Sequence, residues 1–177
     1  MTSRRPELAQ LLRDSFPVLP IPPYPHQMGL GPLGESDEYV GFANRPWTEV
    51  EIEHFRGTGF DICPSIGFRL HNLPHMWNYY LPGFLTASLK DDPGFMTLDS
   101  VMWGLRELEV PVPSKMLRDP WWGGTVHFEH YSRDQMAAVV AYLQFMRRHG
   151  PSDPFDSEWE EADDRTLTRW EQAIRTS

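Results

Sequence analysis

Seven histidines make metal chemistry the first thing to test in this chain. His71 and His75 stand four apart, the spacing that puts two imidazoles on one face of a helix. The glutamate of a metalloprotease helix is missing, because Asn72 follows His71 and Pro74 interrupts the segment. His127, Glu129 and His130 form a second group. His71, His75, His127 and Glu129 together offer nitrogen and oxygen ligands suited to a small metal-assisted hydrolase. On an extended strand, however, His127 and Glu129 share one face while His130 points away. Nothing local fixes their distance from His71, and a metal site needs converging ligands held by outer hydrogen bonds. The expectation is no metal and no cofactor.

Nucleophilic chemistry fares no better. Cys63, between Ile62 and Pro64 and near Asp61, has no recognised local signature and reads as a small buried hydrophobe. As the lone cysteine it forms no intrachain disulfide. Ser65, Ser88 and Ser132 lack a nucleophile-elbow context, and Ser132 is explained as a helix cap. The run from Gly29 to Gly34 has neither the lysine nor the strand-then-helix frame of a phosphate loop. Asp91-Asp92 and Asp163-Asp164 sit beside loop or helix-surface signals, where solvated charge explains them. No catalytic residue is expected, and the balance favours a binding protein over an enzyme.

The elements that would position these groups are mostly helical. Residues 6–16 read as a short helix with Leu8, Leu11 and Leu12 on one face, stopped by Pro17. Six prolines in 17–34 predict an extended arm, wrapped over the body by Val18, Leu19, Ile21 and Tyr24. A proline-rich ligand for an adaptor domain is the alternative for that arm. Residues 35–44 suit a short helix. A second is expected after Pro46-Trp47, with Thr48 and Glu51 at capping-box spacing and Val50, Ile52 and Phe55 inward. Phe60-Asp61-Ile62 alternates like a strand, which Pro64 and Gly67 keep short.

Further along, residues 74–81 predict a helix with Met76, Trp77, Tyr80 and Leu81 on one side. Pro82 should kink or restart it before Phe84, Leu85 and Leu89. Leu98, Val101, Met102, Leu105 and Leu108 define a helix over 97–108 capped by Thr97. Residues 110–126 form a loop containing Trp121-Trp122. Ser132 and Gln135 make a capping box for a helix to His149, with Met136, Val139, Val140, Leu143 and Met146 in one stripe. Arg147, Arg148 and His149 complement its C-terminus, and Gly150-Pro151 ends it. Residues 157–174 are the last helix, with Trp159, Asp163, Leu167, Trp170 and Ile174 aligned.

The expected class is mainly α: an irregular, single-domain helical bundle with a proline-rich N-terminal arm and long loops. With 177 residues, one domain accommodates the chain: an arm over 1–34, a core over 35–150 and an acidic helix over 151–177.

The series Glu38-Tyr39, Pro46-Trp47-Thr48-Glu49, Trp77-Asn78-Tyr79-Tyr80-Leu81-Pro82-Gly83-Phe84-Leu85, Leu98-Asp99-Ser100-Val101 and Tyr131-Ser132-Arg133-Asp134-Gln135-Met136-Ala137-Ala138-Val139 resembles a family of small, mostly bacterial proteins. That family is a domain of unknown function. Its members share a tryptophan after an acidic helix, a Tyr-Tyr-Leu-Pro core motif and a C-terminal helix with a capped, glutamine-bearing first turn. The resemblance covers about residues 35–150 and implies no catalytic residue. Physically, the motif reads as fold specification. Two adjacent tyrosines bury large area while their hydroxyls need partners, and Pro82 frees a carbonyl that could be one of them.

Charge distribution carries the functional expectation. Residues 35–53 hold six carboxylates against one guanidinium, and 151–177 hold eight against three, within a net charge of −9. Phosphate repulsion argues against nucleic acid. No apolar run reaches membrane-spanning length, and 1–8 lack a signal-peptide core, so a cytoplasmic bacterial location is expected. A basic protein partner would be steered in by the acidic stretches. By analogy of size and acidity, the reading is an immunity-type or inhibitory protein that occludes a basic protein such as a bacterial toxin. The partner-binding residues would be Glu35, Asp37, Glu38, Glu49, Glu53, Trp121, Trp122, Asp156, Glu158, Trp159, Glu160 and Glu161. The alternatives are the metal-assisted hydrolase and a subunit that pairs with its own copy.

Overall fold

A computed structural model describes residues 4–22, 44–51, 74–89, 101–102, 104–105, 128–149 and 157–177, with the backbone alone at 74–76 and 157–163. Among these residues there are four α-helices and no strand, so the protein is mainly α. The helices are α1 (Arg4–Ser15), α2 (Pro74–Ser88), α3 (Arg133–His149) and α4 (Ser157–Thr176). Two 3₁₀ turns, Trp47–Glu49 and Phe128–His130, accompany them. Helix α3 packs against both α1 and α4, while α2 meets α1 and the Trp47 turn.

Helix α2 is apolar nearly all round, the signature of a helix with neighbours on every side. Trp77, Tyr80, Leu81, Phe84, Leu85 and Ala87 are all buried along it. Pro82 does not end it: one helix runs from Pro74 to Ser88 with the proline inside. Gly83 explains the following residue type. A Cβ there would lie 2.7 Å from the Trp47 carbonyl oxygen and 3.0 Å from Val50 Cβ, so only glycine lets the turn approach. The tyrosine hydroxyls of the same motif tie down other segments. Tyr79 donates to the Val18 carbonyl at 2.7 Å, and Tyr80 donates to the Arg45 carbonyl at 3.2 Å. Their partners are thus distant loop carbonyls, not a carbonyl freed by Pro82. The motif is a platform on which two other stretches of chain are fastened.

The Trp47 turn departs from the sequence expectation. Thr48 caps nothing: it lies inside a single 3₁₀ turn, and Val50 is already extended at φ −71°, ψ 127°. The reason is the side chain of Trp47, which is fully buried and donates its indole N–H to the Pro17 carbonyl at 3.0 Å. Burying an indole outweighs the fraction of a kcal/mol that local helix propensity offers here. Asn44, which precedes the turn, sits at φ 58°, a left-handed conformation that asparagine tolerates better than most residues.

The arm is described only as far as residue 22. Val18 packs partly against the core, but Leu19 is 70% exposed rather than wrapped inward, and the Leu19–Pro20 peptide is cis. In α1, Leu8 and Leu12 are buried as expected, whereas Leu11 is 40% exposed. Arg5 donates to the Leu89 carbonyl at 3.2 Å, satisfying an acceptor at the C-terminal end of α2.

Helix α3 begins as its sequence predicts. The Ser132 N–H donates to Gln135 Oε1 at 2.8 Å, and the Gln135 N–H donates to Ser132 Oγ at 3.2 Å, closing both arms of the capping box. Met136, Val139, Val140 and Leu143 are buried, and Met146 is partly buried. Ala138 and Tyr142 widen the buried face beyond that stripe. Tyr142 and Ser88 share a buried hydroxyl–hydroxyl hydrogen bond of 2.7 Å, joining α3 to the end of α2. In α4, Thr166, Leu167, Trp170 and Ala173 are buried, and Ile174 is partly so. Val101, Met102 and Leu105 are buried in the core, and Leu105 is already a turn residue. The expected helix over 35–44, apart from Asn44 at its end, the strand-like 60–62, the loop over 110–126 and Cys63 lie outside the described residues.

Candidate functional site

Three places combine polar chemistry with fixed geometry. The first is the aromatic centre of the core. Trp170 donates its indole N–H to the Leu105 carbonyl at 2.9 Å. Around it, Phe128 and Tyr131 present edge contacts with ring centroids 5.1 and 5.2 Å away. On the other side Trp77 lies 5.4 Å from Phe84. Within this cluster the Trp77 indole nitrogen and the Tyr131 hydroxyl are buried, and among the described residues neither has a partner at hydrogen-bonding geometry. Burial holds the Tyr131 phenol well above its ordinary pKa of 10.0, and the nearby Trp77 N–H offsets only part of that. A phenol kept neutral in this way is a poor base and a poor nucleophile.

That orphaned hydroxyl has a measurable consequence. Replacing a buried, unpartnered polar atom by hydrogen removes a desolvation penalty, so Tyr131→Phe should stabilise the fold by about 1 kcal/mol at neutral pH. The alkaline limb separates the two proteins further. In the wild type the folded state keeps the phenolic proton above pH 10, where the unfolded chain releases it. Stability contributed by this group is therefore complete below pH 10 and falls as pH rises, by at most about 1.4 kcal/mol per pH unit. Denaturant titrations at neutral pH and above pH 10 should show a shallower decline in Tyr131→Phe. Equal slopes would refute the assignment.

The second place is the edge beside the Trp47 turn. Burial raises the Tyr79 phenol above its ordinary pKa, the Trp47 backbone N–H pulls it back, and Glu49 adds a smaller push upward. Glu49 is exposed, so this corner presents a carboxylate next to the anchored arm.

The third is the seam of α3 and α4. Arg147 meets Asp164 at 2.9 Å, and Gln144 donates to Glu171 at 3.1 Å. With side chains 61% and 50% exposed, the ion pair is worth at most about 1 kcal/mol. It orients α4 without holding the fold together.

Of the partner-binding residues expected from the sequence, the structure places five. Glu49 is on its exposed turn, and Glu158, Trp159, Glu160 and Glu161 lie in the first turns of α4. Helical register puts position 161 on the row of exposed Arg165 and Thr168, and position 160 at the border between exposed Asp164 and buried Leu167. Position 159 falls instead on the row of buried Thr166 and Trp170. Glu35, Asp37, Glu38, Glu53, Trp121, Trp122 and Asp156 lie outside the described residues.

The histidine hypothesis divides in the same way. His71 and His127 lie outside the described residues, and His75 is in the first turn of α2. Glu129 and His130 are exposed on a 3₁₀ turn, so the strand alternation expected there is not the conformation adopted. The buried Tyr131 that follows tucks the chain inward and favours a tight turn. Among the described residues no group of three histidine, cysteine or carboxylate side chains could hold a metal ion. No described helix is long and apolar enough to cross a membrane.

Comparison with protein families, with curated proteins and with solved structures finds no match to this chain. The fold class therefore rests on the geometry above.

Proposed function

We propose that this is a protein-binding protein, an immunity-type or inhibitory partner that covers a basic surface on another protein, such as a bacterial toxin. The observation that supports the reading is the acidic start of α4. Glu158, Glu160 and Glu161 are carried by the end of a helix whose other half is held by the buried side chains Leu167, Trp170 and Ala173. A charged segment on a fixed helix loses less conformational freedom on binding than one on a free tail. Positions 158, 160 and 161 also fall in the first turns of the helix, where its dipole favours negative charge. Glu49 adds to the acidic surface from the Trp47 turn. The protein is proposed to act in the cytoplasm and without a cofactor.

The test has two stages. Affinity-tagged chain expressed in a bacterium should retain a stoichiometric basic protein at low salt and release it at high salt. With that protein as partner, reversing Glu158, Glu160 and Glu161 to lysine should slow association about tenfold at low ionic strength and flatten its salt dependence. An association rate unchanged by the triple reversal would sink the proposal.

A further inference from the structure

Among the described residues a feature of the opposite sign stands out. Between the first turns of α1 and the last turns of α3 lies an open groove of about 220 Å³. Leu8, Leu11, Ala141 and Phe145 supply its apolar lining, and Arg4 and Arg148 contribute two guanidiniums. Phe145 is steadied by His149, whose ring lies 4.9 Å away. Among the described residues neither Arg4 nor Arg148 has a hydrogen-bonding or ion-pairing partner, in contrast to Arg5 and Arg147. Glu7, also at the groove, is already engaged in an interaction of its own.

We infer that this groove docks an acidic amphipathic segment of a second, separate protein, independently of the acidic surface proposed above. Size argues first. Pockets that enclose small molecules run from about 300 to 1,000 Å³, and this groove is smaller and open, fit for one large apolar side chain of a polypeptide. Charge argues next. Two guanidiniums beside exposed Leu11 and partly buried Phe145 suit carboxylates flanking an apolar anchor. The same charges disfavour a two-fold pairing of the groove with its own copy, since Arg4 and Arg148 would then face the same positive set.

The test uses the full chain, isotopically labelled, and a synthetic amphipathic peptide with leucine at every fourth position and glutamate between. Amide shifts should cluster at residues 4–11 and 141–149, and the double variant Arg4→Glu/Arg148→Glu should weaken binding about tenfold. Both arginines are exposed, so the fold should survive. Leu11→Asn removes apolar lining without changing charge and should weaken binding as well. Shifts elsewhere, no shifts, or affinity indifferent to these variants would overturn the inference. So would a concentration-dependent oligomer that the arginine reversals abolish, because the occupant would then be a second copy of this chain.

Discussion

Trp170→Ala should lower the unfolding free energy by about 4 kcal/mol, most of it from lost burial and the cavity left behind. The indole is fully buried, and its edge contacts with Phe128 and Tyr131 disappear with it. The Leu105 carbonyl loses its donor in the same change, which adds about 1 kcal/mol if no water replaces it. Domain stabilities are about 5 to 15 kcal/mol, so this one change removes a large share. For a chain of this length the melting midpoint should fall by about 10 °C or more. Trp170→Phe keeps much of the burial and should lose roughly half as much. A drop below about 1 kcal/mol in the alanine variant would mean that the indole is not the joint between α4 and residue 105.

Why Trp170 was legible in the sequence, and some of its neighbours were not, follows from how far each interaction reaches. The Leu167–Trp170–Ile174 spacing announces a buried helix face without knowledge of what covers it. The Ser132–Gln135 capping box is equally local: both partners lie within one turn, so residue types and spacing suffice. The Thr48–Glu51 pair has the same spacing and fails, because Trp47 gains more from burial and a bond to the Pro17 carbonyl than a helix start could offer. That carbonyl is 30 residues away, and no local pattern reports it. The Ser88–Tyr142 bond spans 54 residues and is silent for the same reason.

The candidate sites divide likewise. Acidic stretches can be counted in a sequence, whereas the basic groove exists only because the start of α1 lies against the end of α3. Spacing places Leu11 on one face with Leu8 and Leu12, and its exposure is the signal that α1 has a second face. Register in α4 also shifts emphasis within the proposed surface. Position 159 follows the buried row and positions 158 and 161 follow the row of exposed Arg165, so 158 and 161 become better probes of partner binding than 159.

Gly104→Ala is expected to destabilise by about 3 kcal/mol, although alanine is the better helix former. Gly104 is helical, so on propensity alone the substitution should gain close to 1 kcal/mol. Packing reverses the sign. An added Cβ would lie 2.5 Å from Cζ2 of Trp77 and closer still to Cη2. The ring has no easy escape: Trp77 is buried and lies 5.4 Å from Phe84, which is buried too. Relief requires a shift of α2 relative to residues 101–105, where Val101, Met102 and Leu105 are also buried. The cause can be isolated by a double-mutant cycle. Trp77→Phe removes the atoms that collide, so Gly104→Ala should cost much less in that background than in the wild type. Among the described residues the Trp77 indole nitrogen has no partner at hydrogen-bonding geometry, so its removal breaks no such bond there. Additive effects of the two substitutions would show that the collision is not what makes glycine necessary at 104. A stabilised single variant would show that helix propensity, not the ring of Trp77, governs that position.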